Sequence, residues 1–273
     1  MNILDPKEVR DRWGRRCFHS ASPVLPDDLS FSAVYDAPTP LDSVSFWPKV
    51  QTRGIRDQGP TSACTGFASA RAIDICAQLL GYTFAAYPSE MWLYILARLL
   101  ENQGTDLVDL GAKLRFLLQG ARDVGIVDEV CQPFDPSLIN QGTPFDALHE
   151  ASSNLVLDRK GLVYSRVWGS VEAKRAVSSG RPVIIGMAVD EAFMGYNGGT
   201  YVRGGSLVGG HAVTMVGYRR GLAEIVNSYG PAWGEGGRIW VPLEYLDEPS
   251  IVFERHAVDM VPAMLRGPRL GVM

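Results

Sequence analysis

Asp57-Gln58-Gly59-Pro60-Thr61-Ser62-Ala63-Cys64-Thr65-Gly66-Phe67-Ala68 is a loop of small residues that runs directly into an apolar-periodic stretch. Phe67, Ala70, Ile73, Ala77 and Leu80 recur at three- and four-residue steps, and Gly81 stops the pattern, which predicts a largely buried helix over 64–80. Cys64 therefore stands at a helix N-terminus. Unpaired N–H groups and the helix dipole there favour thiolate, the form that attacks carbonyl carbon. An isolated cysteine in such a place is more often a small buried side chain, so the rest of the chain has to decide.

Working outward, the spacing predicts further helices over 89–101 and 109–119, the second closed by Gly120. After Gly161 the pattern changes. Runs at 162–167, 183–189, 211–218, 223–226 and 238–241 are β-branched or alternating and are bounded by glycine and proline, which predicts strands. One helix interrupts them at 171–179, with Ser170 as N-cap and Gly180 and Pro182 after its end. Helices first and strands second define an α+β fold, a helical lobe packed against a β-sheet lobe.

The two ends read differently. Asp5-Pro6-Lys7-Glu8 has the form of a capping box and predicts a short helix through Trp13. Pro23, Pro26, Pro38, Pro40 and Pro48 then describe an extended segment lying on the surface of something else. The divisions expected are an N-terminal extension over 1–49, a helical lobe over 50–155, a β-rich lobe over 156–258 and a tail over 259–273. The tail is expected to be mobile or to dock on a partner, and the extension is a second candidate surface for a protein partner.

A second cluster lies in the strand half. In Gly209-Gly210-His211-Ala212-Val213, a histidine opens a predicted strand directly after two glycines, whose bare backbone leaves room for a ligand. A histidine serves a thiol as base only if a third group fixes its ring, and Asn227, at the end of the next predicted strand, is placed to do so. Met alone, a histidine at a strand end and an asparagine in a turn are ordinary surface residues.

Composition excludes other classes. Lys plus Arg number 26 against 30 Asp plus Glu, a net charge of −4 that gives no footprint for nucleic acid or anionic lipid. The start carries charges where an export signal needs an apolar stretch. The most apolar segment, 91–100, is broken by Arg98 and far short of the ~20 residues that cross a bilayer. A cytoplasmic protein is expected. Cys17, Cys64, Cys76 and Cys131 are too scattered for a disulfide framework, so reduced thiols are expected. His19, His149, His211 and His256 form no short metal-binding pair, and neither metal nor cofactor is expected. His149 and His256 read as surface or satisfied core residues, and Cys76 as core.

Together these residues resemble the papain-like cysteine peptidases. Gln58 precedes Cys64 by six positions as in that family, and His211 follows 147 residues later, within the family's ~130–150. Asn227-Ser228-Tyr229-Gly230-Pro231-Ala232-Trp233-Gly234-Glu235-Gly236-Gly237 is similar to its Asn-Ser-Trp-Gly-x-x-Trp-Gly-Glu-x-Gly stretch. Gly125-Ile126-Val127-Asp128-Glu129 with Gln132-Pro133-Phe134-Asp135, and the pattern over 176–202, match further family segments in order.

The resemblance implies a two-lobed papain-like fold with the cleft between lobes. It implies a thiol protease acting through a thioester acyl-enzyme on a peptide or protein substrate. Cys64 is then the nucleophile, His211 the base and acid, Asn227 the ring-orienting group, and Gln58 with the Cys64 N–H the oxyanion hole. Leu110 and Gly111 would line the cleft, Gly210 would present backbone to the substrate, Tyr229 would shield the His–Asn bond and Trp233 would wall the leaving-group side. Three departures stand out: Thr61 replaces a disulfide cysteine, Thr65 the usual aromatic, and Tyr229 a tryptophan. These departures, and an N-terminal stretch shorter than the usual pro-segment, resemble intracellular bacterial or phage branches of the family. An acyl transferase or peptide ligase on the same residues, and an inactive binding or structural protein with the same lobes, are the alternatives.

Overall fold

Fourteen of the sixteen residues in the helix Cys64–Leu79 are buried, the state of a helix whose environment is protein on every side. In the computed structural model, which describes residues 12, 14, 17, 19–24, 28–36, 39–102, 108–140 and 152–266, this helix lies at the centre. The helices are Trp47–Arg53 (α1), Cys64–Leu79 (α2), Glu90–Glu101 (α3), Leu114–Val124 (α4), Gly169–Ser178 (α5) and Glu191–Met194 (α6), beside a helical turn at Phe31–Val34. The strands are Val44–Ser45 (β1), Ile126–Val127 (β2), Leu155–Leu157 (β3), Leu162–Arg166 (β4), Val183–Asp190 (β5), Leu207–Arg219 (β6), Leu222–Val226 (β7), Arg238–Pro242 (β8) and Val252–Met260 (β9). The architecture is α+β, as expected. Apart from Arg12, the helix expected through Trp13 lies outside the described residues, as do His149 and the last seven residues of the tail.

The helical lobe is α2, α3 and α4 around one apolar cluster that includes Trp92, Tyr94, Leu117 and Leu118. Burying each such side chain contributes roughly 1.5–3 kcal/mol. Ser89, expected as the first residue of this helix, caps α3 by accepting from Trp92 N. Gly66 lets α2 and α3 touch, since a Cβ there would stand 2.6 Å from the Glu90 carbonyl.

Antiparallel strands form the other lobe in the order β4-β9-β5-β6-β7-β8, with β1 added on β6. Thus Val44–Ser45, from the stretch taken as an extension, is sheet. Thr214 Oγ1 donates to the Ala68 carbonyl at 2.7 Å and fastens β6 to α2. The short pair β2–β3 stands apart and packs with the helical lobe.

Three elements differ from expectation. The helix expected over 109–119 begins at Leu114 and runs through Gly120 to Val124, ending at Gly125 with φ +105°. Gly120 is a packing glycine: a Cβ there would stand 3.1 Å from Leu96 Cβ. The start of α5 is bonded by carboxylates rather than by the Ser170 side chain, with Trp168 N donating to Glu172 and Ser170 N to Asp247. Finally, β9 was not anticipated, because its inward face carries Glu254 and His256, which are buried together 3.3 Å apart.

Candidate active site

Cys64 is the first residue of α2, and His211 lies on β6 opposite Met187 of β5. Asn227 directly follows β7, which pairs with β6 through Thr214 and Val226. The sheet therefore sets the second and third residues side by side, and His211 Nε2 stands 2.7 Å from Asn227 Oδ1. The same oxygen accepts the Ser228 N–H at 2.8 Å, which fixes it as acceptor and makes His211 Nε2 the donor. Nδ1 is left as the nitrogen for proton traffic. On the other side, the backbone amides of Ala212, next to His211, and of Thr65 act on the Cys64 thiol to lower its pKa.

Aromatic rings enclose the histidine. Tyr229 lies 4.9 Å from its ring at 32° and Phe193 5.8 Å away at 69°. Trp233 packs on Phe193 at 5.1 Å and donates Nε1 to the Met194 carbonyl at 3.2 Å.

Cys64 and His211 have no solvent exposure. Burial pushes the Cys64 thiol from its ordinary 9.0 up to about 12, against the Ala212 and Thr65 amides that pull it down. The helix terminus thus does not produce thiolate in this state, because loss of water outweighs it.

Gln58 is fully buried and held at both ends of its amide. Nε2 donates to the Thr61 carbonyl at 2.7 Å, and Oε1 accepts from Ser228 Oγ at 2.6 Å. The Thr61 carbonyl, which only accepts, fixes which end is nitrogen, and Nε2 carries a second hydrogen besides the one that carbonyl takes.

On the helical wall the placement is mixed. Leu110 is exposed, whereas Gly111 is buried with both backbone groups engaged inside the lobe. Its N–H donates to Tyr94 Oη at 3.2 Å and its carbonyl accepts from Arg98 at 2.8 Å. The carbonyl that meets the cleft is that of Ala112, one residue on. Beneath it Asp109, missed in the sequence, accepts from Ser62 N at 2.9 Å and from Tyr94 Oη at 2.8 Å. That carboxylate joins the loop carrying Cys64 to the cleft wall.

The backbone of Gly210, expected to meet a substrate, is bonded by the chain's own N-terminal segment. His19 N donates to the Gly210 carbonyl at 3.0 Å, and Cβ atoms on Gly209 or Gly210 would overlap the carbonyls of Cys17 and His19. Cys17 Sγ lies 3.4 Å from Tyr229 Oη, whose ring packs on that of His211, and Ser22 Oγ accepts from Arg115 N at 3.1 Å. Cys17 and His19 were missed because their partners lie roughly 90 to 235 positions away, with no local signal beyond the prolines that mark an extended run. Among the described residues no His, Cys, Asp and Glu cluster could hold a metal ion, and no helix is long and apolar enough to cross a membrane.

A cysteine at the start of the central helix of one lobe and a hydrogen-bonded histidine–asparagine pair on the sheet of the other have the arrangement of a two-lobed cysteine protease. The chain belongs to the papain family of cysteine proteases, whose pattern it matches over residues 37–245. It is 27% identical over 215 residues to an uncharacterized peptidase C1-like protein of Acanthamoeba polyphaga mimivirus, a match covering 71% of this chain and 66% of that one, just under two thirds of the relative's length. Its fold is similar to that of xylellain, a cysteine protease from Xylella fastidiosa, with TM-score 0.73, 22% identity and coverage of 90% of this chain and 97% of the other. Digestive procathepsin L 3 of the Tenebrio molitor larval midgut superposes with TM-score 0.65 at 19% identity, covering 93% and 78% of the two chains.

Proposed function

We propose that the protein hydrolyses peptide bonds through Cys64, His211 and Asn227, and that the segment carrying Cys17 and His19 must leave the cleft before a substrate enters. The observation that carries this is the 2.7 Å bond from His211 to Asn227, which turns the other ring nitrogen toward the proton transfer that a thiol needs. Once water reaches the site, Cys64 passes its proton to His211 and its sulfur attacks the substrate carbonyl carbon. The tetrahedral oxyanion is met by the Cys64 N–H and the second Gln58 N–H. His211 returns the proton to the leaving amine, the C–N bond breaks, and a thioester remains. Water, deprotonated by His211, then releases the acid and restores the thiol.

The substrate is a peptide or protein, and neither nucleic acid nor membrane has a part in the reaction. Cys17, Cys64, Cys76 and Cys131 are free thiols, which supports a reducing, cytoplasmic setting and the bacterial or phage branch of the family. The test is hydrolysis of a peptide mixture by wild type and Cys64→Ala, read by mass with and without an added free amine. Products of hydrolysis that require Cys64 support the reading. Amine-ligated products make the protein a transferase, and no Cys64-dependent product makes it a binding protein.

A further inference from the structure

The amide of Asn227 is held at its oxygen alone. Oδ1 meets His211 Nε2 at 2.7 Å and accepts the Ser228 N–H at 2.8 Å, while Nδ2 is buried with no partner among the described residues. That nitrogen carries two hydrogens to donate. Asn227 lines a small cavity between α2 and the sheet, together with Phe67, Ala68 and Thr214 and with two cationic residues, Arg56 and Arg71. The cavity measures about 10 Å³, the room of one water-sized particle, and none of its lining residues is a carboxylate.

Arg71 is the unusual wall. It stands on α2 two turns after Cys64 and is 4% exposed. Nη2 donates to the Gly54 carbonyl at 2.6 Å, and the guanidinium carbon lies 5.2 Å from the centre of the Tyr87 ring, but Nη1 is buried without a partner among the described residues. The carboxylates of this region are taken by other groups: Asp74 by Arg53 at 3.3 Å and Gln78 at 2.8 Å, Glu90 by Arg56 at 2.8 Å, and Glu129 by Arg56 as well. A buried cation is tolerated when a counter-charge meets it, and a buried donor when an acceptor does. Arg71 lacks the first, and Arg71 Nη1 and Asn227 Nδ2 lack the second.

We propose that Arg71 and Asn227 hold a single chloride-sized anion in this cavity, and that the ion fixes the Asn227 amide with its oxygen toward His211. A halide supplies the charge that Arg71 lacks and accepts from both nitrogens while asking for no acceptor in return. Water accepts from both but brings no charge, and it must place two hydrogens of its own where Asn227 Oδ1 already takes two donors and the Ala68 carbonyl takes Thr214 Oγ1. Sulfate or phosphate exceeds the room. The site does not depend on the peptidase reading; its effect on turnover rests on that reading.

The test melts the full-length protein in sodium gluconate, whose anion is too large to enter, and in sodium chloride or bromide at equal ionic strength. The halides should raise the melting temperature saturably by about 2 °C or more. Arg71→Met should abolish the rise, and Arg71→Lys, which keeps the charge, should retain part of it. No rise in wild type, or the same rise in Arg71→Met, overturns the site. Should the variants fail to fold, a wild-type crystal grown from sodium bromide decides: an anomalous peak between Arg71 and Asn227 supports the site, and its absence overturns it. Turnover is read in the full chain carrying His19→Ala, which loosens the covering segment. Exchanging gluconate for chloride there should raise kcat by ~10-fold with KM little changed, short of the ~10²-fold that a 1 Å misplacement costs, and Arg71→Met should lose that dependence. A halide that binds without changing kcat overturns its hold on the Asn227 amide. If no peptide is cut, the peptidase reading is in error, and the melting and crystal results still decide the site.

Discussion

The two walls of the cleft are assembled in different ways. On the helical wall Asp109 and Gly111 are held from within the lobe, by Ser62 N, Tyr94 Oη and Arg98, while the Ala112 carbonyl and the Arg115 N–H meet His19 and Ser22 of the N-terminal segment. On the sheet wall, Gly210 and Glu254 take their partners from His19, on a segment that crosses from the other end of the chain. The helical wall thus keeps its Asp109 and Gly111 bonds without the segment and loses only the two that His19 and Ser22 supply. On the sheet wall the Gly210 carbonyl and one oxygen of Glu254 are met by His19 of that segment, which under the proposed function gives way to substrate.

The largest effect should fall on the sheet wall. In the His19→Ala background, His211→Ala should lower kcat by at least ~10⁴-fold, as loss of the base does in comparable triads. Asn227→Ala should cost less, because it orients the ring and does not itself carry the proton. A folded Asn227→Ala protein as inactive as His211→Ala would assign the orienting role elsewhere. Gln58→Ala should lower kcat by ~10²-fold with little change in KM. An unchanged kcat with a lower melting point would mean that Gln58 serves only Thr61 and Ser228.

On the helical wall, Oδ1 of Asp109 accepts from both Ser62 N and Tyr94 Oη and Oδ2 accepts again from Ser62 N, so Asp109→Asn puts an NH₂ against one of those donors and should cost about 1–3 kcal/mol in urea unfolding. It should leave the covering segment in place, so Cys64 alkylation in that variant should match wild type. If Asp109→Asn exposes Cys64 as His19→Ala does, the two walls are not independent.

The smallest effect is in the pH dependence of stability. Glu254 is lowered from its ordinary 4.5, so its contribution is present above that pH and is lost as pH falls below it. Cys64 is raised from 9.0 to about 12, so its contribution is present below pH 9.0 and is lost as pH rises from there. Urea midpoints should be flattest between those limits, with a gentler acid limb in Glu254→Gln and a gentler alkaline limb in Cys64→Ala. Limbs identical to wild type in both variants would assign them to other groups.

The contrast between walls also explains what could be read from the sequence. Cys64, His211, Asn227 and Gln58 sit in short local patterns, and α2 and α3 carry full apolar periods with a stop or a cap, so each was legible in a window of a dozen residues. The stretch 109–113 has a helical pattern but is held out of helix by Asp109 and by the bonds on Gly111, which are tertiary. Strand β9 hides its inward face behind Glu254 and His256, polar residues that become core only because they meet each other and His19. The cover over the cleft joins Cys17 and His19 to Ala112, Gly210, Tyr229 and Glu254, separations at which a single sequence carries no register.

The most direct test is peptide-mapped alkylation of Cys64 by iodoacetamide at pH 6, in wild type, in His19→Ala and in His19→Ala with His211→Ala. In wild type, exposed Cys131 should be labelled before buried Cys64. In His19→Ala, Cys64 should react at least ~10-fold faster than in wild type, and His211→Ala should abolish that gain, because the thiolate needs the imidazolium. A Cys64 that stays inert in a folded His19→Ala protein, or whose rate does not depend on His211, would contradict a working Cys64–His211 pair held under the N-terminal segment.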